Sequence, residues 1–388
     1  MNQETAVLEN TEILPDEPTR FTPAHLDILL EFCEGLNASD ITIQTNEPIF
    51  AECYGRLKKI TTRKLSNTEV GDVLNKIYGP NGTAQILSGV DVDTHYEFRP
   101  SRSRRFRYRV NGTGCQVEGH DGIQLTLRSI PTTPPPLTSL NLEPDLFNAV
   151  APRDGCVYVT GATGSGKSTL LASIIRDLVE KSDGNRKALT YEAPIEFVFD
   201  EVSKPSSVVS QTEIPRHLPS FAAGVRNALR RKPMLILVGE SRDAETIAAV
   251  LEAALTGHPV YTTLHTNGVA ETIRRLVTTF PAGERQGRTI DLIETMRLII
   301  WQKLVPTVDG KRVALREYLV FNEDIRDELL TAPFEKITAV TRDLLKRHGQ
   351  PMIVDAKKKY DAGLISDREF QILTTLSRRE DKDALEIN

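Results

Sequence analysis

The stretch Gly161-Ala-Thr-Gly-Ser-Gly-Lys-Ser168 constrains this chain more than any other. It satisfies G-x-x-x-x-G-K-[ST] in full. Cys156–Thr160 before it reads as a short apolar strand, and Ser168–Leu178 after it reads as an apolar helix. Glycines let the backbone take positive φ and approach an anion without a Cβ in the way. Consecutive N–H groups and a helix N-terminus then face a phosphate. The expected nucleotide contacts are Gly161, Thr163, Gly164, Ser165, Gly166, Lys167, Ser168 and Thr169. Lys167 supplies a point charge to the β and γ phosphates, and the Ser168 hydroxyl is a hard oxygen ligand for Mg²⁺.

The 388 residues exceed what one hydrophobic core usually serves, so two or three domains are expected. Residues 1–20 lack apolar periodicity and read as a flexible arm. From Phe21 the pattern turns helical, with Leu26, Leu29, Leu30 and Phe32 on one face. Ile41 and Ile43 alternate as in a strand, and Pro48–Leu57 reads as further strand and turn. A second helix fits Asn67–Tyr78, capped by Asn67 or Thr68 and stopped by Gly79-Pro80. Phe106, Tyr108 and Val110 alternate with Arg105, Arg107 and Arg109, the period of a strand. A small α+β domain over 21–130 follows. Residues 131–139 hold four prolines in a Pro-Thr-Thr-Pro-Pro-Pro opening and read as the linker.

Beyond the linker, strands and helices alternate. Ala188–Glu192, Met234–Val238 and Val260–Leu264 read as strands, and Phe221–Arg231 and Asp243–Thr256 as helices. Such alternation argues for a parallel sheet with helices on both faces, over 140–329. Residues 330–388 carry mostly helical patterns and end in a charged tail.

A nucleoside triphosphatase also needs carboxylates near its metal and its attacking water. Glu240 ends the apolar run Met234–Val238 and so falls at the carboxyl edge of the sheet, where open α/β sheets bind ligands. It is the second expected Mg²⁺ ligand beside Ser168. Glu192 ends the strand Ala188–Glu192 and can orient or deprotonate water. His258 and His265 bracket Val260–Leu264, with His265 at the same edge as the loop. A neutral imidazole there could report on the γ-phosphate, although a lone histidine also serves as structure.

Arg99, Arg102, Arg104, Arg105, Arg107 and Arg109 cluster within eleven positions. Three readings fit: a nucleic-acid strip, a solvated strand face, or an arginine supplied across an interface to a nucleotide. The interleaved aromatics fall on the opposite face from Arg105, Arg107 and Arg109, which weakens the first.

Composition bounds the rest. A net charge of −5 excludes a strongly basic whole-chain nucleic-acid binder. No run of about 18 apolar residues exists to span a bilayer. Residues 1–20 have no basic start and no apolar core, so no secretory signal is expected. Cys33, Cys53, Cys115 and Cys156 form no C-x-x-C and read as reduced thiols of a cytosolic protein.

Taken together and in this order, the motifs resemble the PilT-like secretion ATPases of type IV pili and of type II and type IV secretion, over about residues 21–330. Gly161–Ser168 matches the family's Walker A loop. Glu192-Ala-Pro-Ile-Glu196 matches its Asp box, Leu235–Glu240 its atypical Walker B, and Gly257–Asn267 its His box. Ala38-Ser39-Asp40, Arg107-Tyr-Arg109-Val-Asn111 and Leu127-Arg128-Ser-Ile-Pro131 match its amino-terminal domain. Ala193 replaces the usual Asp of the Asp box, a form most similar to the type IVB (Dot/Icm-like) branch and its conjugation relatives.

The resemblance implies a RecA-like P-loop core with a smaller PAS-like amino-terminal α+β domain and a helical carboxyl-terminal tail. It implies a homohexamer hydrolysing ATP between subunits, with Glu192 as catalytic glutamate, Glu240 as Walker B glutamate, and Arg109 and Arg128 reaching the nucleotide. ATP is expected over GTP, since no N-K-x-D-type guanine signature appears. The implied place is cytoplasmic, recruited to the inner-membrane face by secretion-complex proteins, with no direct nucleic-acid binding. Pilus retraction and nucleic-acid translocation are the alternatives.

Overall fold

The computed structural model describes residues 13–101, 104–130 and 132–375. Most of the expected arm, Arg102, Pro131 and the charged tail from 376 lie outside them. Two compact units divide the chain, residues 1–132 and 133–388.

The first unit carries helices α1 (His25–Gly35), α2 (Asn67–Tyr78) and α3 (Gly82–Leu87). Its strands are β1 (Ala38–Gln44), β2 (Phe50–Cys53), β3 (Arg56–Lys59), β4 (Val92–Ser101), β5 (Arg104–Val117) and β6 (His120–Ile130). They form one antiparallel sheet in the order β3-β2-β1-β6-β5-β4. Helix α1 starts at His25, four residues later than the periodicity suggests, and buries Leu26, Leu29, Leu30 and Cys33. Cys33 rather than Phe32 completes the apolar stripe, because i, i+3, i+4 and i+7 fall on one helical face. The cap of α2 also differs from expectation. Ser66, not Asn67 or Thr68, accepts from the Glu69 N–H, while Glu69 reaches back to the Ser66 N–H. This reciprocal pair satisfies two orphan donors at the helix start. Tyr108 and Val110 of β5 enter the core, and the Tyr108 hydroxyl donates to Glu34 at 2.7 Å.

The solvated-face reading fails for two of the strip arginines. Arg107 is 2% exposed and Arg105 is nearly as buried, and both flank Glu97 of β4 at 3.5 and 2.7 Å. Alternation reports which face a side chain takes, not whether that face is covered.

The second unit is built on seven strands: β7 (Gly155–Thr160), β8 (Lys187–Glu192), β9 (Val208–Glu213), β10 (Leu235–Val238), β11 (Pro259–Leu264), β12 (Met296–Pro306) and β13 (Arg312–Val320). Their order is β13-β12-β7-β11-β10-β8-β9. All neighbours are parallel except β12 and β13, which are antiparallel. Helices α4 (Pro144–Ala149) and α5 (Lys167–Glu180) cover one face. The other face is covered by α6 (Phe221–Leu229), α7 (Ala244–Leu255), α8 (Val269–Thr278), α9 (Arg285–Thr295), α10 (Glu323–Thr331) and α11 (Ile337–His348). Helix α12 (Met352–Asp361) packs on β13 around Val305, Leu315 and Ala356. The central strand β7 shows why its sequence is apolar throughout. Val157 and Val159 face α5, while Cys156 and Tyr158 face the opposite layer. This is the α/β fold expected of a P-loop core, with an antiparallel edge that the sequence does not announce. Among the described residues no helix is long and apolar enough to cross a membrane, and all four cysteines are free thiols.

Candidate nucleotide site

The loop Gly161–Gly166 leaves the carboxyl end of β7 and turns into α5. Gly161, Gly164 and Gly166 take φ of +141°, +75° and +82°, values that L side chains rarely adopt. At Gly161 a Cβ would lie 2.3 Å from the Gln302 carbonyl oxygen, so the strand β12 leaves no room for one. Ala162, Thr163 and Gly164 are exposed at the crest. Helix α5 has no side-chain cap at its N-terminus, so its first N–H groups are left for an outside acceptor.

Lys167 is 9% exposed and its Nζ donates to the Gly161 and Ala162 carbonyls, each at 2.8 Å. Burial lowers its pKa, and the carboxylates of Glu240 and Glu196 act in the opposite sense. Glu196 therefore belongs to the electrostatic surroundings of the lysine, a role that motif spacing does not reveal.

Strand ends deliver the other groups. Parallel pairing aligns β8, β10, β11 and β7 so that their carboxyl ends share one edge. Glu240 is held between Arg242, 2.6 Å from Oε2, and His265, 3.5 Å from Oε1. The Thr263 hydroxyl donates to the Gly239 carbonyl at 2.6 Å, fixing the chain just before Glu240. Glu192 accepts from the Thr190 hydroxyl at 2.6 Å and from the Gln211 amide at 3.1 Å. His258 lies at the opposite edge, where its Nδ1 meets the Ala253 carbonyl at 3.1 Å and its own carbonyl accepts from the Gly155 N–H. It is a packing residue at the end of α7.

These donors suit a nucleotide with Mg²⁺. The loop offers backbone N–H groups and an ammonium for phosphate oxygens. Ser168 and Glu240 offer the hard oxygens that Mg²⁺ takes alongside phosphate. Among the described residues no group of three or more His, Cys, Asp or Glu stands ready to cage a cation alone.

Arg109 and Arg128 belong to the first unit and stand opposite each other on β5 and β6. Arg109 pairs with Asp93 and Arg128 with Asp40, each at 2.7 Å. About half of Arg109 and two thirds of Arg128 remain exposed.

One contact with the loop has no sequence signal. Gln302 of β12 donates from Nε2 to the Ser165 carbonyl at 2.7 Å, across 137 residues. Only the placement of β12 beside β7 brings it there.

Comparison with known proteins identifies the family of this fold. Residues 136–350 match the family "Type II/IV secretion system protein". A twitching motility protein of Neisseria gonorrhoeae is 38% identical over 290 residues, 74% of each chain. The ATPase DotB of Legionella pneumophila superposes with a TM-score of 0.88 at 67% identity, covering 94% of this chain and 99% of that one. The pilus retraction motor PilT, solved with bound ADP, gives a TM-score of 0.77 at 31% identity over 88% of this chain and 94% of its own. With a complete phosphate loop and strand-end carboxylates on the same fold, the chain belongs to the type II/IV secretion family and is a PilT-like ATPase similar to DotB.

Proposed function

We propose that the chain is a homohexameric motor that hydrolyses ATP to power a type IVB (Dot/Icm-like) or conjugative apparatus at the cytosolic face of the inner membrane. The observation that carries this reading is the 67% identity to DotB over 94% of the chain, against 31% to PilT. It favours export over pilus retraction. The smaller PAS-like domain and the RecA-like core are part of the same reading.

Each residue then has a role. The loop N–H groups from Gly161 to Thr169 bind the phosphates, and Lys167 leaves the Gly161 and Ala162 carbonyls to hold the β and γ oxygens. Mg²⁺, when bound, neutralises charge developing on the phosphates. Ser168 and Glu240 hold it. Glu192 orients and deprotonates the attacking water, and hydrogen bonds from Thr190 and Gln211 help to orient its carboxylate. His265 reads the γ position from beside Glu240. Arg109 and Arg128 exchange Asp93 and Asp40 for nucleotide phosphate supplied by a neighbouring subunit.

Co-purification with the inner-membrane complex, with and without ATP, tests the assignment. Recovery of secretion-complex proteins supports it, whereas recovery of pilus-base proteins supports retraction. Strong stimulation of turnover by nucleic acid across a salt series would instead favour a translocase.

A further inference from the structure

Gln302 and Arg316 are buried polar residues behind the phosphate loop, each 3% exposed. Gln302 Nε2 donates to the Ser165 carbonyl at 2.7 Å, and its Oε1 accepts from Arg316 Nε at 3.0 Å. A guanidinium offers only donors. The amide must therefore turn its oxygen to Arg316 and its NH₂ to the loop. The Ser165 carbonyl and the Gly166 N–H share one planar trans peptide and point in opposite directions. Holding the carbonyl inward against Gln302 turns the Gly166 N–H outward, toward the phosphate position.

Arg316 does more than fix this amide. Its other nitrogens donate to the Leu140 carbonyl at 3.0 Å and the Asn141 carbonyl at 3.4 Å. Those carbonyls belong to the segment that carries the chain out of the proline-rich stretch. The backbone N–H of Arg316 donates to Asp355 Oδ2 of α12 at 2.9 Å. Asp355 is fully buried and also takes Lys359 Nζ at 2.7 Å. Met352 and Ile353 of α12 and Ala162 and Ser165 of the loop line one cavity of about 520 Å³. Gln302 and Ser165 line that cavity, and Arg316 links Gln302 through its side chain and Asp355 through its backbone N–H. Burial lowers the pKa of Arg316, while Glu143 and Asp355 counter it. An arginine kept charged in such a place is costly unless every donor has a partner.

We infer that Gln302 and Arg316 are positioning residues of the ATPase: Arg316 locks the Gln302 amide, Gln302 aims the Gly166 N–H at the nucleotide, the same guanidinium ties that aim to residues 140–141, and the Arg316 backbone N–H ties its strand to α12. A displacement of the 140–141 segment that withdraws its carbonyls from Arg316 would loosen the amide and, through it, the phosphate grip.

The test uses the full chain with steady-state ATP turnover, equilibrium ATP binding and thermal melting. Gln302→Glu keeps the shape and gains a charge partner for Arg316, but it cannot donate to Ser165. We expect kcat/KM to fall about tenfold or more, with weaker ATP binding, while the variant still melts in a cooperative transition. Arg316→Met should give a similar loss. The double variant Gln302→Met/Arg316→Met should be no more than about twofold worse than Gln302→Met alone, because Arg316 acts through Gln302. Hydrogen exchange at residues 138–142 should slow on adding ATP in the native protein and not in Arg316→Met. Full activity in Gln302→Glu overturns the proposal, as do losses that multiply in the double variant. If Arg316→Met does not fold, Gln302→Glu decides alone.

Discussion

Arg109 stands directly opposite Arg128 on neighbouring antiparallel strands, two positive charges in one cross-strand pair. Such a pairing is unfavourable in isolation. It persists here because Asp93 on β4 and Asp40 on β1 flank it from the strands on either side, each 2.7 Å from its arginine. Both ion pairs are exposed and contribute little to stability, in the range of about 0–1 kcal/mol.

That geometry separates function from folding. Arg109→Ala and Arg128→Ala should each leave the melting temperature within a degree or two, since loss of the ion pair and relief of the like-charge pair nearly cancel. If the arginines serve a neighbour's nucleotide, ATP turnover falls at least about tenfold and toward about 10³-fold. Turnover and assembly mass measured on the same preparations check this. Unchanged rates in intact assemblies would assign both side chains to solvent.

Lys167→Ala removes the only ammonium donated within the loop among the described residues. Turnover should drop by about 10³-fold, to the edge of detection, because charge on the transferring group loses its nearest fixed counter-charge. Binding of fluorescent ATP should weaken in parallel. Steady hydrolysis by the purified variant would contradict the site.

Glu192→Gln behaves differently. The amide keeps an oxygen to accept from Thr190, so the strand end holds its shape. ATP binding should be spared while turnover falls about 10²–10⁴-fold, the range for loss of a general base. Equal loss of binding and turnover would move Glu192 from water activation to structure.

Gly224 of α6 lies against the Tyr191 ring, where an added Cβ would come within 2.5 Å. Gly224→Ala should destabilise the second unit by about 1–3 kcal/mol through overpacking. It should also lower turnover, because Tyr191 precedes Glu192 on β8. Denaturant unfolding and kcat, measured together, test the link.

Glu69 supplies a pH dependence. Burial opposes its charge, but the Arg63 guanidinium and the N–H groups of Ser66 and Phe21 outweigh this and hold its pKa at about 2, from 4.5. A depressed carboxyl pKa adds stability above pH 4.5 that disappears as pH falls toward 2, here about 3 kcal/mol. Glu69→Gln should flatten this dependence. Hydrogen exchange of β1–β6 amides in the full chain at pH 7, 5 and 3.5 reads it out; the same slope in both proteins would refute it.

The phosphate loop is legible because its parts are contiguous. Strand, glycines, lysine and helix start follow within a few residues, and covalent connection alone puts them together. Glu240 is nearly as legible, since an apolar strand ending in an acid places that acid at a sheet edge. The arginines show the limit. Period-2 alternation sorts Arg105, Arg107 and Arg109 onto one face correctly, yet Arg107 is buried and Arg109 is not. Glu97 on the next strand covers one and leaves the other.

The sequence by itself determined the nucleotide loop, the alternation of strands with helices, and the ATPase family, because each rests on local order along the chain. Tertiary structure alone decided that β12 lies beside β7, that Gln302 meets Ser165, and that Arg316 joins the loop to residues 140–141 and to Asp355. Those contacts join residues from 14 to 176 positions apart. Strand order and buried hydrogen-bond satisfaction select them, and neither leaves a periodic mark on the chain.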